Sequence, residues 1–221
     1  MCINDSEKNN NIHYLFPELK YIISKKDNQI IYRALYNKKD CVVKQIYIDN
    51  MYGIPTGCIK EINVLKQIKH PNIVEILDIL FDNWNIYIIM EYCGNILLDI
   101  DHSEINKSVA LRQIMSAVRY LHKKGFYHGD LSLHNIAFSK SNDGEQTYKL
   151  IDFDVSSKRY RNDTLCKPVS YILSPEMING TSNIDPFGQD IWALGCIGYY
   201  IITGNPIFFG TNDTTQINEI H

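Results

Sequence analysis

The sequence predicts an α+β fold in two parts, a strand-rich first part and a mainly helical second part. Three observations carry this. Up to residue 92, β-branched and aromatic residues cluster into short strand-length runs. One segment among those runs, from Pro55 to His70, instead spaces its apolar residues as a helix does. After Gly94 the apolar pattern becomes helical over Ser108–Lys124 and again over Asp190–Ile202.

The elements follow in order. The first 13 residues are too polar to bury, and structure is expected from about residue 20, so 1–19 are expected to be poorly ordered. Ile30-Ile31-Tyr32 and Cys41-Val42-Val43-Lys44 are strand-like, joined by the turn-forming Asn37-Lys38-Lys39-Asp40. A helix begins near Pro55, with Ile59, Ile62, Val64, Leu65 and Ile68 at helical spacing, and His70-Pro71-Asn72 stops it. Strands at Val74–Phe81 and Asn85–Tyr92 flank a turn at Asp82-Asn83. The helix over Ser108–Lys124 ends at Gly125, a favourable C-terminal cap. Two short strands, around Ile136–Ser139 and Thr147–Ile151, turn at Gly144. Residues 154–175 are irregular, and the run Asp190–Ile202 is a helix expected to be buried on most sides.

Composition narrows the function classes. The chain has 221 residues, 45% hydrophobic and 21% charged, with a net charge of −3. That balance gives no electrostatic reason to expect nucleic acid or an anionic membrane as partner. Six cysteines include no C-x-x-C pair, so buried thiols in a reducing compartment are expected rather than a zinc or dithiol site. The N-terminus has no signal-peptide pattern, and the apolar run 191–202 is too short to span a bilayer. An intracellular protein of cytoplasm or nucleus is expected.

The chemistry-bearing residues form an ordered set. Lys44 ends a Val-Val-Lys strand and Glu61 lies on the next helix. His128-Gly129-Asp130 is followed by Asn135, and Asp152-Phe153-Asp154 follows a short apolar strand. Ser174-Pro175-Glu176 and Asp190-Ile191-Trp192-Ala193-Leu194-Gly195-Cys196 come later. Each residue alone has a plain structural reading: a solvated strand end, a helix face, a turn cap. Together, in this order and spacing, they resemble the eukaryotic protein kinases over about residues 20–215. Residues 53–61, Gly-Ile-Pro-Thr-Gly-Cys-Ile-Lys-Glu, are similar to the P-S-T-A-I-R-E helix of cyclin-dependent kinases. Thr164 stands where that family carries its activating phosphothreonine.

The resemblance implies a two-lobed protein-kinase-like fold. Residues 20–92 would be a β-rich N-lobe with one helix, and 93–221 a mainly helical C-lobe lacking its last helices. It implies ATP and Mg²⁺ as cofactors and transfer of the γ-phosphate to Ser or Thr of a protein substrate. Lys44 would hold the α- and β-phosphates, Glu61 would fix Lys44, and Asp130 would orient the substrate hydroxyl and accept its proton. Asn135 and Asp152 would supply oxygen ligands to Mg²⁺. Ile23, Ile31, Val42, Met90, Glu91, Cys93 and Ala137 would line the nucleotide, the hinge running over Met90–Cys93. His128 would be a structural residue stacked with Leu65, Ile76, Phe153 and Asp190. A cyclin-like partner would meet residues 53–61.

Several positions depart from the family pattern. The glycine-rich loop falls on Ser24-Lys25-Lys26-Asp27-Asn28-Gln29 and has no glycine. Gly129 replaces the arginine that clamps an activating phosphate, leaving Lys60, Lys158 or Arg159 to meet one on Thr164. Ser132 replaces the catalytic-loop lysine, Asp154 the glycine after Asp-Phe, Val42 an alanine, and Ala137 a leucine. These changes motivate an alternative: a pseudokinase scaffold or cyclin-binding module with weak or no phosphotransfer. A small-molecule phosphotransferase draws only on His-Gly-Asp and is disfavoured by Ser174-Pro175-Glu176 and Trp192.

Overall fold

The computed structural model describes residues 12–26, 28–49, 51–158, 172–179 and 184–208. Cys2, Asp27, Arg159, Thr164, Cys166 and Val169 lie outside the described residues. The α+β class expected from the sequence is the one observed, and the chain divides into two compact units. One comprises residues 1–66 and 74–92, the other 67–73 and 93–221. No helix among the described residues is long and apolar enough to cross a membrane.

The first unit is built on five antiparallel strands: β1 (Leu19–Lys26), β2 (Gln29–Tyr36), β3 (Lys39–Tyr47), β4 (Ile76–Phe81) and β5 (Asn85–Glu91). Their order in the sheet is β1-β2-β3-β5-β4. Strand alternation sorts the side chains. Ile30, Tyr32 and Ala34 lie opposite Gln45, Val43 and Cys41, and most of this face joins a buried core with Tyr87 and Ile89. The other face carries Ile31 opposite Lys44 and Arg33 opposite Val42. The turn between β2 and β3 holds Asn37 at φ 50° and Lys38 at φ 63°, the double left-handed geometry that suits a two-residue hairpin. The Asp82 carboxylate closes the β4–β5 turn by accepting from the amides of Trp84 and Asn85, both at 2.7 Å.

Two expectations change in this unit. Residues 12–19 are not left loose: 12–15 make a helical turn, and Ile12 and Phe16 are buried in the sheet's core. Phe16 packs its ring 5.9 Å from Tyr87 and 6.2 Å from Tyr36. Residues 12–19 read Ile-His-Tyr-Leu-Phe-Pro-Glu-Leu, mostly apolar, and burying Ile12 and Phe16 four apart offsets the cost of ordering them; grouping them with the polar residues before 12 conceals this. The helix α1 (Thr56–Leu65) starts at Pro55 as expected but ends before His70. Residues 67–73 belong instead to the second unit. There the Lys69 amide donates to the Tyr120 hydroxyl at 3.0 Å and the His70 ring lies 5.0 Å from the Tyr120 ring. Tertiary partners outcompete continuation of the helix.

The second unit centres on α2 (Lys107–Lys123) and α4 (Pro186–Thr203), with the one-turn helix α3 (Pro175–Ile178) between them in sequence. Asn106 caps α2 by accepting from the Val109 amide, and Gly125 follows it at φ 80°. A small sheet orders β6 (Asn95–Ile96), β8 (Ile136–Lys140) and β9 (Gln146–Leu150) side by side. A two-stranded pair joins β7 (Phe126–Tyr127) to β10 (Ser157–Lys158). Helix α4 buries one face through Asp190, Ala193, Ile197 and Ile201, while Ile191 and Ile202 are exposed. The expectation of burial on most sides does not hold for it: its composition is apolar almost all round, but only one stripe is covered.

Candidate functional site

In the first unit, β3 and α1 bring one charged pair together. Lys44 Nζ lies 2.8 Å from Glu61 Oε2, and the two residues are 3% and 0% exposed. Glu61 reaches inward because α1 turns its Cys58–Glu61–Leu65 stripe to the sheet. A buried carboxylate and ammonium at this distance hold each other in the charged state. Cys58, one turn before, has its thiol pushed up to about 11 by burial, with the Glu61 charge adding to the effect. Ile31, Val42 and Met90 share the sheet face of Lys44, through the pairs Ile31–Lys44, Val42–Met90 and Lys44–Ile88. Ile23 differs: β1 shifts register between Ile22 and Ser24, so Ser24, not Ile23, lies opposite Ile31. Glu91 ends β5, opposite Cys41, and its amide donates to the Glu75 carbonyl.

In the second unit, the loop after β7 is held from both sides. The Asp190 carboxylate accepts from the amides of His128 at 2.8 Å and Gly129 at 2.9 Å, and from His122 Nε2 at 2.8 Å. Ser156 Oγ donates to the His128 carbonyl at 2.7 Å. The His128 ring is fully buried, 4.7 Å from the Phe153 ring, with Nε2 at 3.2 Å from the Ile151 carbonyl. Its position within the second unit is therefore structural, as expected. Gly129 sits at φ 83°, where a Cβ would lie 3.2 Å from the Tyr127 ring. Glycine suits both the backbone and the space.

Asn135 donates from Nδ2 to both Asp130 Oδ2 and the Asp130 carbonyl, each at 2.8 Å. Its Oδ1 is thereby oriented as an acceptor. The Ile151 amide donates to the Asn135 carbonyl at 3.0 Å, which sets Asp152 one residue from that contact. Asp152 itself has φ 61°, a left-handed backbone that is uncommon outside glycine and marks functional turns. Asp154 does not share it, so the left-handed conformation falls at Asp152 and not at the position where the kinase pattern carries glycine. Burial raises the Asp130 carboxyl above its ordinary value, opposed by His128 and the Asn135 hydrogen bond. Asp152 and Asp154 push in the same direction as burial. A carboxylate and an amide oxygen on adjoining turns are the hard donors that Mg²⁺ prefers, so Asp152 and Asn135 fit that ion. Ala137 is buried on β8, opposite Lys149 and Ile96, and Cys93 is half-buried just before Gly94.

A protein kinase domain model matches residues 29–221 of this sequence. The chain belongs to the protein kinase family. Among kinase relatives, it is 31% identical over 222 residues to calcium-dependent protein kinase 5 of Plasmodium berghei, covering 96% of this chain and 39% of that protein. It is 32% identical over 180 residues to probable cyclin-dependent kinase 10 of Dictyostelium discoideum, covering 76% of this chain and 48% of that protein. It is 29% identical over 178 residues to the CTD kinase subunit alpha of Schizosaccharomyces pombe, covering 76% of this chain and 29% of that protein. The chain thus spans less than half the length of these curated kinases.

Some residues of this kinase domain escape sequence reasoning. His122, Ser156 and Gln189 fasten the loop and the segment at Ser174. Gln189 takes the Ser174 amide on Oε1 and gives Nε2 to the Ile172 carbonyl, both at 3.1 Å. Their signal is weak, because a single polar residue in a helix or loop reads equally well as solvent-facing. The glycine-free loop is also clearer in three dimensions: β1 and β2 pair as far as Lys26–Gln29, so most of it is strand, and Lys25 and Lys26 are exposed.

Proposed function

We propose that this kinase domain transfers the γ-phosphate of ATP to serine or threonine of a protein substrate, in the manner of cyclin-dependent kinases. The observation that carries the reading is the buried Lys44–Glu61 pair at 2.8 Å. A buried, charge-paired ammonium has no structural necessity, since an apolar pair would fill the space at less cost; it suits a cation kept ready for phosphate. Lys44 binds the α- and β-phosphates and Glu61 fixes its direction. Ile31, Val42, Met90, Glu91, Cys93 and Ala137 bind the base, and Ile23 covers it only from an exposed position. Mg²⁺, when bound through Asp152 and Asn135, neutralises phosphate charge. Asp130, held by Asn135, orients the substrate hydroxyl and takes its proton. Its raised pKa brings it nearer the value suited to a general base.

The test is Mg²⁺-dependent transfer from ATP to a generic Ser/Thr protein substrate, with Asp130→Asn alongside. Transfer should fall at least ~10²-fold in Asp130→Asn, the scale of a lost general base. No transfer above Asp130→Asn by the folded parent would sink the enzyme reading. It would favour the pseudokinase scaffold, which the buried Ser132 supports: a hydroxyl cannot supply the charge of the lysine expected there.

We further propose a cyclin-like partner at residues 53–61. Ile54 and Ile59 are exposed there, 40% and 54%, beside the exposed Met51 and Tyr52. Glu61 is buried on Lys44 and is not part of that surface. Ile59→Asp should abolish cyclin capture while leaving the melting temperature unchanged; full capture by that variant would refute the partner.

A further inference from the structure

Arg33 has no role in the resemblance, yet its side chain makes several contacts within the first unit. It lies on β2 opposite Val42, on the face shared by Ile31, Lys44 and Met90. Its guanidinium stands 3.8 Å from the centroid of the Tyr92 ring. Nη1 donates to the Tyr21 hydroxyl at 3.0 Å, and Nη2 lies 3.4 Å from Asp40 Oδ2. Asp40 is in turn paired with Lys20. Among the described residues its Nε has no hydrogen-bond partner, and the side chain as a whole keeps 22% of its surface exposed.

What Arg33 grips matters. The β3–β5 ladder ends at the Cys41–Glu91 pair, and Tyr92 is the next residue. Beyond the last rung, whatever holds the Tyr92 side chain contributes to the backbone direction. A planar guanidinium on an aromatic face, with its edge donors bonded to β1 and β3, supplies that hold, and lysine's point charge cannot reproduce it.

We propose that Arg33 is a positioning residue for nucleotide recognition: by clamping Tyr92 to β1 and β3 it fixes the Glu91–Cys93 backbone in the geometry that binds a purine base. This rests on the nucleotide reading above. In a chain whose β1–β2 hairpin has no glycines to wrap phosphate, base recognition carries more of the binding, so losing the clamp should be felt in affinity.

The experiment compares the full chain with Arg33→Ala and Arg33→Lys. Amide hydrogen exchange over residues 91–94 and Mg²⁺·ATP affinity are measured alongside melting without nucleotide. Arg33→Ala should exchange faster at 91–94 and bind ATP roughly 3–10-fold more weakly, the scale of a partly exposed cation–π contact. Its KM should rise with kcat nearly unchanged, and Arg33→Lys should restore little. A merely structural role would lower the melting temperature without concentrating the exchange change at 91–94, and that result overturns the proposal. So does parental ATP affinity in Arg33→Ala, which leaves the nucleotide reading intact. A parent that binds no ATP overturns the nucleotide reading itself, and the proposal with it.

Discussion

At the scale of single residues, the second unit concentrates its unusual chemistry around Asp130. Burial comes first among the causes that raise its pKa, which means the charged form is held at a cost. A carboxyl whose folded pKa exceeds its unfolded value contributes stability below the unfolded pKa, and that contribution is lost as pH rises through the folded one. At pH 7 the charged Asp130 therefore weakens the fold. Asp130→Asn, which keeps an acceptor for Asn135, should melt higher than the parent at pH 7, with the difference vanishing in acid. A lower melting temperature at pH 7 would contradict this. The same shift predicts that the acid limb of a kcat/KM profile lies above the ordinary aspartate range, because activity needs the carboxylate. Lys44 and Glu61 show the opposite economy, each cancelling the other's burial, so truncating either leaves a buried charge worth ~3–5 kcal/mol of destabilisation. A loss-of-binding variant is therefore better made at Asp152, where asparagine tolerates the φ of 61°.

At the scale of elements, the sheet of the first unit is placed by its turns and its alternation. Asn37 and Lys38 both have positive φ, and asparagine accepts this more readily than lysine. Lys38→Gly should relieve the strain and raise stability by about 0.5–1 kcal/mol, read as a higher urea midpoint with unchanged slope. An unchanged or lower midpoint would mean the turn is not strained. In the second unit, α4 contributes through its first turns: Asp185 caps it, Pro186 starts it, and Gln189 and Asp190 face the loops they fasten. Its start, four residues before the run visible in sequence, is set by that cap and proline; apolar periodicity cannot show it.

At the scale of the whole molecule, ligand linkage gives a test that needs no substrate. If ATP with Mg²⁺ binds the folded chain alone, nucleotide at 100 times Kd should add about 2.7 kcal/mol and raise the melting temperature by roughly 5–10 °C. Asp152→Asn should melt near the parent without nucleotide and gain little from it. An equal gain in both proteins would place the metal elsewhere. The sequence by itself determined the α+β class and the family, because the order Lys44, Glu61, His128-Gly129-Asp130, Asn135, Asp152 is a property of the chain and survives without coordinates. Most strands and both long helices were legible too, since their apolar periods of two and 3.6 are local. Only tertiary structure decided which polar residues do work. The burial of Ile12 and Phe16, the early end of α1, the left-handed turn at Asp152 rather than Asp154, and the Arg33–Tyr92 stack all depend on residues distant in sequence. Local pattern scores each residue against its neighbours, whereas burial and hydrogen bonding are settled by partners that only the folded chain brings near.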